Sequence, residues 1–275
     1  MSQAAAAISD PVAAPLPEDR AHSLFRWNAV LAGLHFVQGL VILALSFARD
    51  PVVSSPVVST YLSFDEVSET LVPAETTLFD LPIGPAVALF FFLSAIAHGL
   101  LAWPLRGWYE RRLASGIQPM RWIEYSLSSS VMIVVIAALS GIQEIGTLVA
   151  IFGINAAMNL FGWSMESANQ GRTKVQWNHY VFGVIAGIVP WIVISIALWS
   201  ASTEPGAAPI PTFVWIIFGT LFVAFNVFAI TMILQYGKIG RWRDYLVGEK
   251  TYMVMSLVAK TLLAWQVFFG TLAPQ

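Results

Sequence analysis

The chain has 275 residues, of which 57% are hydrophobic and only 11% charged, and its formal net charge is -2. A water-soluble domain carries about a quarter charged residues, so this chain has too little polar surface to coat a globule, and a bilayer suits it better. No polybasic tract points to nucleic acid, and the lack of cysteine excludes disulfides, thiolate catalysis and Cys-ligated metals.

In chain order, residues 1–22 are rich in Ala and Pro and carry Asp10, Glu18, Asp19 and Arg20. They lack the basic start and apolar stretch of a secretory signal and read as a flexible cytoplasmic tail. Residues 23–272 read as one all-α membrane domain. A crossing helix needs roughly 20 largely apolar residues. Seven stretches qualify: Ser23–Phe47, Pro82–Leu105, Pro119–Ser140, Gln143–Ser167, Gln176–Ser200, Pro209–Gln235 and Thr251–Leu272. Turn residues such as Asp50-Pro51, Gly107, Gly116, Gly141, Gly171 and Pro205-Gly206 punctuate them. The connection between the third and fourth spans is the shortest, only Gly141-Ile142.

Seven crossings put the termini on opposite sides, and basic residues mark the inner one. Arg20, Arg26, Arg106, Arg111, Arg112, Arg121, Arg172, Lys174, Lys238, Arg241, Arg243 and Lys250 fall on the N-terminal side, against Arg49 alone on the other. This predicts a multi-pass protein of the cell membrane, with the N-terminus cytoplasmic and the C-terminus extracellular. The outer loop 48–81 is long and acidic, and its β-branched Val52-to-Leu62 stretch predicts a short hairpin. Trp27, Trp108, Trp122, Trp177, Trp199, Trp215 and Trp242 fall near span ends, where indoles favour the headgroup layer. Gly183 and Gly187, four apart in the fifth span, permit close helix packing, including between protomers.

Ionisable groups inside a span cost roughly 2.5–3.5 kcal/mol or more and are candidate functional residues. Four stand out: Lys260, Glu124, His98 and His35. Counted at about 1.5 Å per residue from the basic ends of their spans, they lie about 13, 8, 11 and 18 Å deep. Glu124 reads as the only carboxylate well within a span, with Glu144 and Glu166 at interfacial helix ends. Lys260 is too far from either headgroup layer to snorkel. It admits two readings: a structural ion pair with Glu124, or a desolvated amine that condenses with an aldehyde to an imine whose protonated form needs a fixed anion. Ser256 lies four residues earlier on the same helix face, in reach of the nitrogen. His35 and His98, in one layer with a carboxylate, suit a hydrated proton-exchanging pocket or inert packing. Asn155, Met158 and Asn159 occupy the middle of the fourth span.

The residues Arg121-Trp-Ile-Glu-Tyr-Ser-Leu-Ser-Ser-Ser130 and Ser256-Leu-Val-Ala-Lys260, with His35, His98 and the long first outer loop, closely resemble the heliorhodopsins from about Leu24 to Leu272. The resemblance implies a rhodopsin-like seven-helix bundle of inverted topology, with all-trans retinal on Lys260 as a protonated Schiff base. It implies Glu124 as counterion, Ser256 as a hydrogen-bonding neighbour, and His35 and His98 in a polar, water-containing cavity. Tyr125, Ser128, Asn155, Met158 and Phe225 would line or flank the chromophore. It further implies a homodimer covered in part by the outer loop, a slow photocycle without net ion transport, and a signalling partner of unspecified identity rather than an enzyme. Pumps of the microbial type also carry a second carboxylate about three turns beyond the counterion, where this chain has Val131-Met-Ile-Val-Val-Ile136. Viral relatives that conduct ions keep a light-driven or light-gated ion transporter open. An intramembrane metal hydrolase is a further alternative, although only two His lie deep and such sites typically take three protein ligands.

Overall fold

The computed structural model describes residues 14–49, 51–206 and 208–272. Seven of its helices are long and apolar enough to cross a membrane. Helix α1 (Glu18–Phe47) starts within the segment expected to be tail, because Pro17 precedes it and Glu18 and Asp19 complement the dipole of its first turn. Residues 1–13 of the expected tail lie outside the described residues. Strands β1 (Ser54–Asp65) and β2 (Thr70–Pro82) follow, then α2 (Ile83–Ala102) and the short α3 (Arg106–Ala114). The remaining spans are α4 (Pro119–Leu139), α5 (Ile145–Asn169), α6 (Asn178–Thr203), α7 (Thr212–Tyr236) and α8 (Tyr245–Val267), whose last turn continues as a π-helix over Phe268–Leu272.

The hairpin is longer than the β-branched stretch suggested. Its antiparallel register runs from Ser54 opposite Pro82 to Asp65 opposite Thr70, with a bulge between Val57 and Val58. At the turn, the Asp65 carboxylate accepts the Val67 backbone N–H at 2.8 Å, and backbone donors from Val67 and Ser68 hold it below the usual carboxylate range. Within the two strands only Val57 and Val58 are buried. There the Val58 N–H donates to the Gln143 carbonyl at 3.0 Å, anchoring the hairpin beside the start of α5.

Helix ends follow local chemistry. Pro104 disfavours helical geometry at Trp103, so α2 stops at Ala102, before the expected Leu105. Gly141, at φ 89°, closes α4: its N–H reaches the Ala138 carbonyl and the Ile142 N–H reaches Ala137, which makes the shortest connection a true break. Glu144 caps α5 by accepting the Thr147 N–H at 2.6 Å, and backbone N–H groups of Gly146 and Thr147 lower its acidity range. Asp244 caps α8 through the Leu246 N–H at 3.0 Å. That helix therefore begins six residues before the expected Thr251 and carries Glu249 and Lys250 inside it. Lys260 accordingly stands about 22 Å from the helix start, rather than the 13 Å expected.

The starts of α1, α4, α6 and α8 share one end of the bundle, termed the basic side; the hairpin marks the other. Toward the hairpin side the core is apolar, with Ile42, Val87, Phe90, Phe91, Ile133, Ile136, Leu263 and Val267 packed together. Gly39 lets α1 approach α2, since a Cβ there would come within 2.8 Å of the Phe92 ring.

Candidate functional site

Lys260 is 2% exposed. Its Nζ donates to Ser256 Oγ at 2.7 Å and lies 3.3 Å from Glu124 Oε1. The i, i+4 spacing on α8 sets the first contact; the second joins α8 to α4. The Ser94 hydroxyl of α2 donates to the same Glu124 oxygen at 2.6 Å, giving the carboxylate a strong partner besides the amine. The Tyr125 ring centroid is 5.3 Å from Nζ, and the Tyr125 hydroxyl is held by the Tyr252 carbonyl at 2.9 Å.

His35 and His98 stack at 5.6 Å with planes 6° apart. His98 Nδ1 is 2.8 Å from Asn28 Oδ1. An amide oxygen only accepts, so this bond places the His98 proton on Nδ1 and leaves Nε2 as the basic nitrogen. Both ring nitrogens of His35 are buried without a protein partner.

A second buried cluster lies nearer the basic side. Arg121 of α4 pairs with Glu166 of α5 and Glu249 of α8, all three almost fully buried. Glu166 Oε2 accepts the Gln118 backbone N–H at 2.9 Å and Trp122 Nε1 at 2.8 Å, while Oε1 takes the Tyr245 hydroxyl at 2.9 Å. Glu249 Oε1 takes the Tyr109 hydroxyl at 3.0 Å and Gln118 Nε2 at 3.4 Å. The guanidinium covers the Tyr252 ring at 4.1 Å and the Trp122 ring at 4.8 Å.

This cluster corrects three expectations. Glu124 is not the only carboxylate buried in the bundle, Glu166, although three residues from the end of α5, is enclosed by protein, and Trp122 is a buried packing residue, not a headgroup anchor. The signal was present as helical spacing: Asn155, Asn159, Gly162 and Glu166 recur at i, i+4, i+7 and i+11 on α5, as Glu249, Met253, Ser256 and Lys260 do on α8. Gly162 makes room for Trp122, whose ring would lie 2.3 Å from an added Cβ.

Replacing Arg121 by Gln strands two buried carboxylates without their cation. The expected outcome is a loss of roughly 3–5 kcal/mol of stability, read as a lowered thermal midpoint in detergent. An unchanged midpoint would show that the cluster contributes nothing net to the fold.

Beside Lys260 a cavity of about 390 Å³ is walled by Tyr125, Met132, Met158, Phe225, Phe228 and Ala259, with Ser129, Asn159 and Ser256 as polar points. A larger space of about 810 Å³ shares Met158, Asn159, Phe225 and Phe228 and continues between α5, α6 and α7 past Trp191. Aromatic and apolar walls with a few polar points are those of a small-molecule site. Of the residues expected at a chromophore, Tyr125, Met158, Phe225 and Ser256 stand in the cavity wall. Ser128 and Asn155 do not: Ser128 is buried one turn past Glu124, and Asn155 sits behind the wall, donating to Ser129 at 2.8 Å and Ser130 at 3.0 Å. Asn159 and Ser129 take their place. Gly183 and Gly187 face α5 of the same chain, where a Cβ on Gly187 would meet Met158 Sδ at 2.5 Å, so their room serves this packing.

A bundle of seven membrane-length helices, with a buried lysine of the last one paired to a carboxylate of α4, defines a membrane protein of the microbial-rhodopsin fold. A solved structure with the same architecture is a light-driven proton pump, LR (Mac), from Leptosphaeria maculans, with a TM-score of 0.60 over 93% of this chain and 95% of that one at 12% identity. The chain belongs to the heliorhodopsin family, whose sequence profile matches residues 24–272. No curated protein matches it by sequence.

Membership implies a retinal chromophore. The residues present fit one: the Lys260 amine borders a narrow, aromatic, largely apolar space suited to a polyene, and a fixed anion and a hydroxyl stand at the nitrogen.

Proposed function

We propose that this chain is a light-sensing retinal protein of the cell membrane that moves no net ion. The observation carrying this reading is the 3.3 Å contact between Lys260 and Glu124 at the closed end of an aromatic cavity. Lys260 would hold all-trans retinal through its Nζ. Glu124 would serve as counterion, with Ser256 fixing the nitrogen and Tyr125, Met158, Phe225, Phe228 and Asn159 confining the chain of the ligand. Bound retinal supplies visible absorption and a light-driven change of shape. The residues around it hold the nitrogen's proton, exclude bulk water, and offer that proton a local destination.

The placement of charged groups supports the absence of net transport. Among the described residues, the buried acidic, basic and imidazole side chains are His35, Arg121, Glu124, Glu166, Glu249 and Lys260. By helix position none lies nearer the hairpin side than Lys260 and His35, and beyond them the core is mainly apolar, with Ser46 and Ser140 among its few buried polar side chains. A proton released from the nitrogen meets acceptors in one direction only and returns the same way. The twelve basic residues on the side of the α1 start support a cytoplasmic N-terminus. Exposed Tyr61, Leu62, Phe64, Leu71, Leu78 and Phe79 on the hairpin support its covering by a second copy in a homodimer. No three His, Asp or Glu side chains gather as a metal site among the described residues, so nothing favours the hydrolase alternative.

Intact cells that express the chain and are supplied with retinal test the reading. The expected result is a coloured membrane and no light-induced change in external pH. A sustained, protonophore-sensitive pH change would make it a transporter instead.

A further inference from the structure

We infer that Glu249 is the station that receives the proton displaced by light from the Lys260 nitrogen, with Arg121 and Glu166 as the fixed charges that make room for it. This inference rests on the retinal-protein reading and extends it to a site about three helical turns from Lys260 along α8.

One small cavity joins the sites: it is walled by Glu124, His98 and Tyr125 at one end and by Gln118, Arg121 and Glu249 at the other, with Leu101, Met120 and Met253 also in the wall, so both carboxylates border one space. Polar groups flank it at both ends: His98 Nδ1 is 2.8 Å from Asn28 Oδ1, and the Tyr109 hydroxyl donates to Glu249 at 3.0 Å.

Charge decides which group accepts. Arg121 supplies one positive charge to two carboxylates, and the groups facing them from α3, α4, α7, α8 and the turn before α4 (Tyr109, Trp122, Tyr236, Tyr245, Tyr252 and Gln118) are all neutral. With both acids ionised the cluster holds one excess negative charge in a buried place, and one proton removes it. The two acids differ in support. Glu166 has two donors on each oxygen, whereas Glu249 has, besides Arg121, only Tyr109 and a weak 3.4 Å contact from Gln118. A proton placed on Glu249 therefore disturbs fewer hydrogen bonds than one on Glu166, and Glu249 receives it while Glu166 keeps Arg121. Glu124, which accepts from Ser94 at 2.6 Å, is the counterion that draws the proton back. In the forward step an N–H bond at the Lys260 nitrogen breaks, its electron pair stays on nitrogen, and an O–H bond forms on Glu249. Dark recovery reverses both, and light is the only input.

Light-minus-dark infrared spectra of the full-length, retinal-loaded protein in vesicles test this. The expected result is a carboxylic-acid C=O band that appears on illumination, shifts in Glu249→Asp and vanishes in Glu249→Gln. A band unchanged in Glu249→Gln, or one that vanishes in Glu124→Gln instead, would overturn the assignment. Carbon-13 NMR of the glutamate carboxyls in the retinal-free protein gives a second readout. One resonance, missing in Glu249→Gln, is expected to move from the ionised to the neutral position as pH falls. A Glu249 resonance that does not titrate overturns the inference even where colour forms normally. Protein that stays colourless with retinal overturns the retinal-protein reading instead, and leaves the Glu249 titration to be read on its own.

Discussion

Lys260→Ala protein mixed with all-trans retinal is expected to remain colourless, whereas the parent protein develops a visible band that hydroxylamine and light together remove. The expectation is all-or-none because the substitution removes the one amine that borders the aromatic cavity. Arg121 is a permanent cation and cannot condense with an aldehyde, and Lys250 is tied to Ser23 at 2.9 Å in another part of α8. The substitution is also tolerable for the fold. It leaves Glu124 without its cation but still hydrogen-bonded to Ser94 at 2.6 Å, and the carboxyl can take a proton to escape an unpaired buried charge. A folded, monodisperse Lys260→Ala protein that still forms the visible band would place the attachment elsewhere, and with it the whole functional site.

Glu124→Gln should keep the colour and move the band to longer wavelength at neutral pH. A cation 3.3 Å from a carboxylate is stabilised by about 5 kcal/mol at an effective dielectric of about 20. In the ground state the positive charge sits mainly at the nitrogen and benefits fully; in the excited state it spreads along the polyene and benefits less. Removing the anion therefore raises the ground state more than the excited one and narrows the gap. Gln keeps the shape and can still accept from Ser94, which separates charge from packing. A band that does not move would transfer the counterion role to another group. Glu249 is the next candidate, across the small cavity that it shares with Glu124.

These two outcomes concern one ion pair, but the geometry around it explains why that pair is not simply structural. A buried pair alone is weak evidence for function, since desolvation offsets much of the attraction. Here the lysine also opens onto a cavity, and the acid borders a second small space that reaches Arg121 and Glu249. Polar satisfaction is thorough at Glu166 and loose at Glu249 and His35, and the loosely satisfied groups are the ones that can change state without unfolding the bundle.

Much of this was legible along the chain. The Ser256–Lys260 contact follows from a spacing of four on one helix, and the hairpin from a β-branched stretch next to a span. The start of α8 was not legible, because Glu249 and Lys250 look like loop charges until Arg121 and Ser23 are seen to meet them. Ser94 and Asn28 were equally hidden: a lone Ser or Asn in a span carries no mark until the residue opposite is known. Trp122 looked like an interfacial indole for the same reason.

What the chain by itself determined is the set of seven crossings, their punctuation and the presence of a lysine well inside the last one. Those depend on local hydropathy, turn chemistry and rise per residue, and each is complete within a few neighbouring residues. Tertiary structure alone decided that Glu124 stands 3.3 Å from Lys260 and that Arg121 joins α4 to α5 and α8. It also decided that Asn159, not Asn155, borders the cavity. The reason is rotational: one residue turns a helix by about 100°, so which side chains meet across a bundle depends on how each helix is rotated and seated against its neighbours. Hydropathy summed along a span is nearly blind to that rotation.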